Sequence, residues 1–208
     1  MDRNTGYKDG RGVLIKDGSL YEGFWRRNQE NGVGRFINQQ GDVYQGHWKD
    51  GVPSGRGKCL NSNSSMYNGE WRNHKPHGKG FERYEDGSSY FGMFRDGMKD
   101  GRGEFRWKDG SVFTGELKDN NLHGHGRYQW SDERVFEGEF ANNKMNGEGT
   151  FKWPDGRMYH GQYKEDKKHG FGEYTWSDGR RYKGEWAYGK QHGKGEYTNS
   201  NNETKKSE

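Results

Sequence analysis

Two kinds of residue in this chain stand at spacings that chemistry could use. Eight Gly-x-Gly pairs, from Gly32/Gly34 to Gly193/Gly195, could let a backbone approach a phosphate. Four histidines, His77, His123, His169 and His192, share one place in a recurring pattern and could hold a metal if they converged. Neither reading meets its requirements. No pair continues to the third glycine of G-x-G-x-x-G, and none stands before a helix-period stripe whose N-terminus could receive an anion. "GEWAYGKQ", residues 184 to 191, imitates a phosphate loop but carries Gln191 where a Ser or Thr must hold magnesium. The histidines lie 23 or 46 residues apart, whereas zinc needs four ligands within about 2.3 Å of one point; they read as turn residues. Carboxylates are abundant, yet no His-Ser, His-Cys or carboxylate pair has company that is not repeated along the chain. A catalytic site is singular, and this chain is periodic. No catalytic, metal-binding or cofactor-binding residue is assigned, no cofactor is expected, and an enzyme is not expected.

The elements that would have to position such residues are themselves unusual. Leu, Ile, Val and Phe make up about 12% of the 208 residues, a share at which a highly charged chain is expected to stay disordered. Two facts oppose disorder: 35 basic residues nearly cancel 31 acidic ones, and aromatics reach 15%, where disordered segments carry few. Aromatic side chains are being packed. The longest aliphatic run, Val13-Leu14-Ile15, is too short for a signal-peptide core or a membrane span. Cys59 is the single cysteine, so an internal disulfide is impossible and a reducing, cytoplasmic setting is expected.

The packing follows a repeat. "YQGHWKDG" at Tyr44 has kin starting at Tyr21, Tyr67, Tyr90, Phe113, Phe136, Tyr159 and Tyr182, every interval being 23 residues. The Gly-x-Gly pairs recur in phase with these starts. Such a period decides the architecture before any residue-level assignment. Inside a unit the alternation has period two, as in Tyr90, Gly92 and Phe94 or Gly103, Phe105 and Trp107, and no helix-period stripe competes. Each unit reads as a β-hairpin, with Asp-Gly turns such as "KDGS" (108 to 111) between units. Rings and glycines share one face, so a ring can lie over the bare backbone beside it. The predicted organisation is a partial repeat and cap over 1–20, eight repeats over 21–197, and a disordered polar tail, "TNSNNETKKSE", over 198–208.

Y-x-G-x-W, then G-x-G-x-Y, then D-G-x-x-Y at a period of 23 resembles the MORN repeat (membrane occupation and recognition nexus) over residues 7 to 197. The resemblance implies an all-β fold, an elongated single-layer antiparallel meander of hairpins, used as a protein-interaction scaffold. It is similar to standalone members of radial spoke heads in motile cilia and of cytoskeletal assemblies, which implies an axonemal or other cytoskeletal place. Some members are associated with phosphoinositides, so a peripheral membrane tether recognising acidic phospholipids is the alternative. The sequence departs from the pattern at Leu117, Cys59 and Glu82, and in "NSNSSM" and "SDERV", which lack the turn glycine; those units should be looser.

Charge weighs on the choice of partner. No repeat exceeds two net charges, and the clusters of four to eight uncompensated Lys/Arg that hold acidic lipids are missing. The nearest, Lys167, Lys168, Arg180, Arg181 and Lys183, is interleaved with Glu165, Asp166 and Asp178 and reads as a solvated, ion-paired face. Nucleic acid is disfavoured by the same balance. A protein partner remains: a single layer cannot bury its aromatic face against a second layer of its own. The expected contact strip is Tyr90, Phe94, Phe105, Trp107, Phe113, Tyr128, Trp130, Phe136, Phe140, Phe151, Trp153, Tyr159, Tyr163, Tyr174 and Trp176. Its expected occupant is an amphipathic helix or an extended segment; the competing explanation is that ring stacking inside the sheet satisfies them all. On the opposite face Phe24, Val33 and Ile37, with Val13 and Ile15, predict an N-terminal contact with a partner subunit or a second copy, a homodimer.

Overall fold

The computed structural model describes residues 6–207; the first five residues of the expected N-terminal cap lie outside them. Eighteen antiparallel strands form one open sheet, each bonded to its neighbours in sequence, and no helix occurs among the described residues. The chain divides after Gly101 into two compact units, N-terminal and C-terminal. Numbering in chain order, β1 is Gly10–Lys16, β2 Ser19–Arg26 and β3 Gln29–Ile37; from β2 onward each repeat supplies two strands.

Turn chemistry makes the meander. Inside a repeat the two central turn residues both take positive φ, as Arg27 (48°) and Asn28 (66°) do, or Asp50 (50°) and Gly51 (81°); this is the twist-matched two-residue hairpin turn. Between repeats a longer turn closes on two backbone bonds, such as Trp107 N to Ser111 O at 2.9 Å and Gly110 N to Trp107 O at 3.1 Å. Gly110 takes φ 90° there. In the two units lacking that glycine the turn still forms, with Ser64 at φ 68° and Glu133 at φ 69°.

That second turn corrects the expected tail. Asn199 N bonds Glu203 O and Asn202 N bonds Asn199 O, at 2.9 and 3.0 Å, and Asn202 takes φ 63°. The Asn199 side-chain oxygen also accepts from the Asn201 and Glu203 amides. Asparagine tolerates the left-handed region and bonds its own backbone, so this polar stretch turns and adds a last strand, β18 (Thr204–Ser207), to β17 (Lys190–Thr198). The histidines are corrected too: His77, His123, His169 and His192 all lie in strands.

Rings and glycines meet as expected. Gly23 pairs with Gly34 across β2 and β3, and a Cβ on Gly34 would overlap the Tyr21 ring. At Gly115 a Cβ would come within 2.5 Å of Gly126 Cα and 2.6 Å of Phe113 Cζ. The starting rings Tyr21, Tyr44, Tyr67, Phe113, Phe136, Tyr159 and Tyr182 all lie on such pairs. Where it is tyrosine, its hydroxyl donates to a carbonyl three residues on, as from Tyr21 to Phe24 O (3.0 Å) and from Tyr44 to His47 O (2.9 Å). A bulge after the first glycine then turns the ring four residues from the start against the starting ring. Tyr21 and Trp25, Tyr44 and Trp48, Phe136 and Phe140, and Tyr159 and Tyr163 all meet edge to face with centroids 5.0–5.2 Å apart. Each also meets the next repeat, Tyr44 to Trp71 at 5.1 Å and Phe136 to Tyr163 at 5.1 Å. This zigzag of perpendicular rings is the core of both units.

Candidate interaction surface

The fifteen rings expected to form one strip fall into two ranks. Tyr90, Phe94, Phe113, Phe136, Phe140, Tyr159 and Tyr163 belong to the zigzag and are between 0% and 5% exposed, so they present no surface. The other eight stand fifteen and seventeen residues after each start. In the C-terminal unit they form a second, continuous file: Phe105, Trp107, Tyr128, Trp130, Phe151, Trp153, Tyr174 and Trp176, extended by Tyr197. Successive centroids lie 4.5, 5.0, 4.5, 5.1 and 4.4 Å apart as far as Trp153, with planes tilted by 31–40°. The last three steps open to 5.8, 4.8 and 5.9 Å. Phe151 and Tyr174 are buried, while the four tryptophans keep part of their surface in solvent. The period-two pattern puts both ranks on one face; it does not carry the bulge that folds one rank under the other.

Arginines border the file at the period of the repeat. The guanidiniums of Arg134, Arg157 and Arg180 lie 5.3, 5.4 and 5.5 Å from the centroids of Trp130, Trp153 and Trp176. Each Nε donates to the aspartate two residues earlier at 2.7 Å: Asp132, Asp155 and Asp178. The carboxylates fix the guanidiniums over the indoles and cancel their charge, so the border is amphipathic rather than basic.

One charged group was missed by sequence reasoning. Lys168 does not join a solvated face: its ammonium sits 4.2 Å from the Tyr174 centroid, 4.7 Å from Trp186, 5.1 Å from Tyr159 and 5.4 Å from Trp153. Burial, with the nearby Arg157 guanidinium adding to it, brings its pKa down to about 8. The available signal was its place nine residues after Tyr159, on the ring-bearing face.

In the N-terminal unit the second file is broken. The same positions hold Phe36 and Asn38, Cys59 and Asn61, and Glu82 and Tyr84. Lys99, equivalent to Lys168, bonds Glu82 at 2.8 Å, and the Tyr84 hydroxyl donates to Glu82 as well. Between Phe36, Tyr44, Trp48 and Trp71 the missing rings leave a cavity of about 400 Å³. Burial pushes the Cys59 thiol at its wall upward, away from reactivity.

On the opposite face Phe24 and Val33 are about half exposed and Val13 and Ile15 more so, whereas Ile37 is partly covered. The apolar character is not confined to the first strands: Phe91 and Met93 are also exposed, with Lys79 4.9 Å over the Phe91 ring. Among the described residues no His, Cys, Asp or Glu group is arranged to hold a metal, and no helix is long and apolar enough to cross a membrane.

Comparison with known proteins agrees with this geometry. No curated protein sequence matches the chain. Among solved structures, the TCP10 domain of Danio rerio CPAP aligns over 94% of this chain and 93% of that one, with a TM-score of 0.52 and 14% identity. The TCP domain of Drosophila melanogaster SAS-4, solved with a proline-rich motif of Ana2, aligns over 82% and 86% with a TM-score of 0.45 and 9% identity. The likeness to the CPAP domain, at 14% identity, is one of fold. The MORN repeat pattern, by contrast, matches eight consecutive stretches, 21–43, 44–66, 67–89, 90–112, 113–133, 136–156, 159–180 and 182–204. The chain thus belongs to the MORN-repeat family, whose repeats build scaffolds for protein or membrane interaction.

Proposed function

We propose that the protein is a non-enzymatic scaffold that holds an extended segment of a partner protein along the second ring file of its C-terminal unit. The observation that carries this reading is the unbroken run of rings from Phe105 to Tyr197, whose tryptophans keep part of their surface in solvent. The glycine pairs do not need these rings, since the zigzag already covers them, and aromatic anchors dominate interface energies. Geometry selects the kind of segment. A hairpin repeat advances about 9.6 Å across the strands, and one turn of polyproline II advances about 9.3 Å in three residues. A polyproline segment laid across the strands therefore presents the same side chain to every tryptophan. An α-helix returns to its starting face after seven residues and about 10.5 Å, drifting by nearly 1 Å per repeat. The Arg–Asp pairs add donors at the border without the net charge that acidic lipid requires, which supports a protein over the membrane alternative.

Addition of a ten-residue oligoproline to isotope-labelled protein should shift the indole N–H signals of Trp130 and Trp153 saturably, while a Gly-Ser peptide leaves them in place. Trp130→Ala and Trp153→Ala should each weaken capture of co-purifying partners by roughly 2 kcal/mol, with folding checked by thermal melts. Equal capture by both folded variants would remove the file as the binding surface. The axonemal, radial-spoke-like or other cytoskeletal setting rests on the family resemblance, and localisation of the tagged protein in ciliated cells tests it. A second contact at Phe24, Val33 and Ile37 is supported by the exposed apolar side chains around it; Phe24→Lys with Ile37→Lys should lower the assembled mass in light scattering if that face is covered by a partner or a second copy.

A further inference from the structure

The cavity of the N-terminal unit is a box that the same chain fills elsewhere with lysine. In the repeat starting at Tyr159, four positions enclose the Lys168 ammonium: the starting ring, Tyr174 fifteen residues on, Trp186 of the next repeat and Trp153 of the one before. In the repeat starting at Tyr90 the same position is Lys99. Its ammonium lies 5.4 Å from Tyr90 and 5.1 Å from Tyr84, and it bonds the Glu82 carboxylate at 2.8 Å. Twice, then, the fold places an alkylammonium nine residues after a start, among rings, and once with an acid beside it.

In the repeat starting at Tyr44 those positions change together. Tyr44 and Trp71 keep their rings, but the lysine position is Pro53, the tryptophan of the preceding repeat is Asn38 and the tyrosine is Cys59. All five line the cavity of about 400 Å³. The volume is within the range of pockets that take ligands. Its charge is the complement of what was removed. Glu30 and Asp42 both line it. Glu30 has no ion-pair partner among the described residues, and the Ser62 amide followed by the Asn38 side chain holds Asp42 ionised below the usual carboxylate range.

We infer that this cavity receives a lysine side chain supplied by a partner protein, its methylene stem against Tyr44 and Trp71 and its ammonium between Glu30 and Asp42. Rings and carboxylates together recognise an alkylammonium: the ring faces attract the cation, and the acids fix its head. The site is separate from the ring file of the other unit and stands whether or not that file binds a partner.

The indoles report on it directly, because Trp48 Nε1 donates to Gly34 O and Trp71 Nε1 to Gly57 O at the cavity walls. Titration with N-acetyl-lysine methylamide, followed by nitrogen–proton correlation spectra, should shift the Trp48 and Trp71 indoles saturably and leave Trp153 and Trp176 unmoved. The Nε-acetylated analogue, neutral and otherwise similar, should bind at least tenfold more weakly. Glu30→Gln should weaken lysine binding severalfold. Pro53→Lys, which supplies the side chain from within, should abolish it while leaving indole dispersion intact; if that variant does not fold, Glu30→Gln and the neutral analogue decide. Equal affinity for charged and neutral analogues, unmoved Trp48 and Trp71 signals, or undiminished binding to folded Pro53→Lys overturns the proposal.

Discussion

The two units share one core and differ in what they place beside it. In both, a starting ring lies on a glycine pair and a second ring meets it edge to face. The positions fifteen and seventeen residues after the start hold rings from Phe105 to Tyr197 in the C-terminal unit, ending at Asn199, and Asn, Cys and Glu in much of the N-terminal one. The outcome is a continuous aromatic file in one unit and a cavity with an acidic lining in the other. A repeat protein can thus keep its fold in one set of positions and its recognition in another. In the first set the glycine pairs leave no room for a side chain, because backbone and ring fill the space; the second set differs more between the units.

The largest effect should come from breaking what the units have in common. Gly115→Val in the C-terminal unit and Gly46→Val in the N-terminal one each force a side chain into a neighbouring glycine Cα within 2.5 Å. Both should lose about 3 kcal/mol or more, whereas Lys118→Ala on the exposed side should stay within about 0.5 kcal/mol. Thermal or urea unfolding of the three variants checks this; a harmless Gly46→Val would mean that the N-terminal core differs after all.

A smaller effect should come from the lysine that distinguishes the boxes. The folded pKa of Lys168, about 8, lies below the value near 10.4 of an unfolded lysine. Between these values the unfolded chain binds more protons, so stability should rise as pH climbs from about 8 towards 10, and the penalty is fully present below pH 8. Discounted for its partial exposure, it amounts to roughly 1–2 kcal/mol. Lys168→Met should therefore be more stable than the parent at pH 7 and lose this slope, as urea midpoints at pH 7 and 9.5 will show. Lys99, bonded to Glu82, should give no such gain on the same substitution.

The smallest effect concerns the turns. Glu133 takes a φ of 69° where most repeats place glycine. Glu133→Gly should stabilise by about 1 kcal/mol in chemical denaturation, relieving a left-handed conformation that costs a residue with a Cβ about that much.

How much of this was legible depends on what sets each feature. The 23-residue period, the hairpins and the ring-on-glycine contact follow from residue type and spacing alone, because only glycine lets a ring approach that closely. The division of fifteen rings into two ranks was not legible. Phe136 and Phe151 sit on paired positions of one face, and a bulge, which leaves no mark in a period-two pattern, decides what covers Phe136. Lys168 read as part of a charged surface because its neighbours in sequence are charged, while its neighbours in space are four rings. The final strand was hidden for a similar reason: asparagines that suit a disordered tail also suit a left-handed turn.

The repeat-to-repeat hydrogen bonding has one more consequence, for how such a chain can change its length. Every repeat carries its own hairpin turn, glycine pair and rings, and it bonds only to the strands before and after it. Excising residues 44–66 would join Val43 to Tyr67 and leave every inward side chain inward, giving a shorter protein of the same cross-section. Excising one residue more or fewer would turn the next strand over and put its rings in water. Length in this architecture is therefore counted in whole repeats of 23 residues, and complete hairpins can be gained or lost without re-facing any strand.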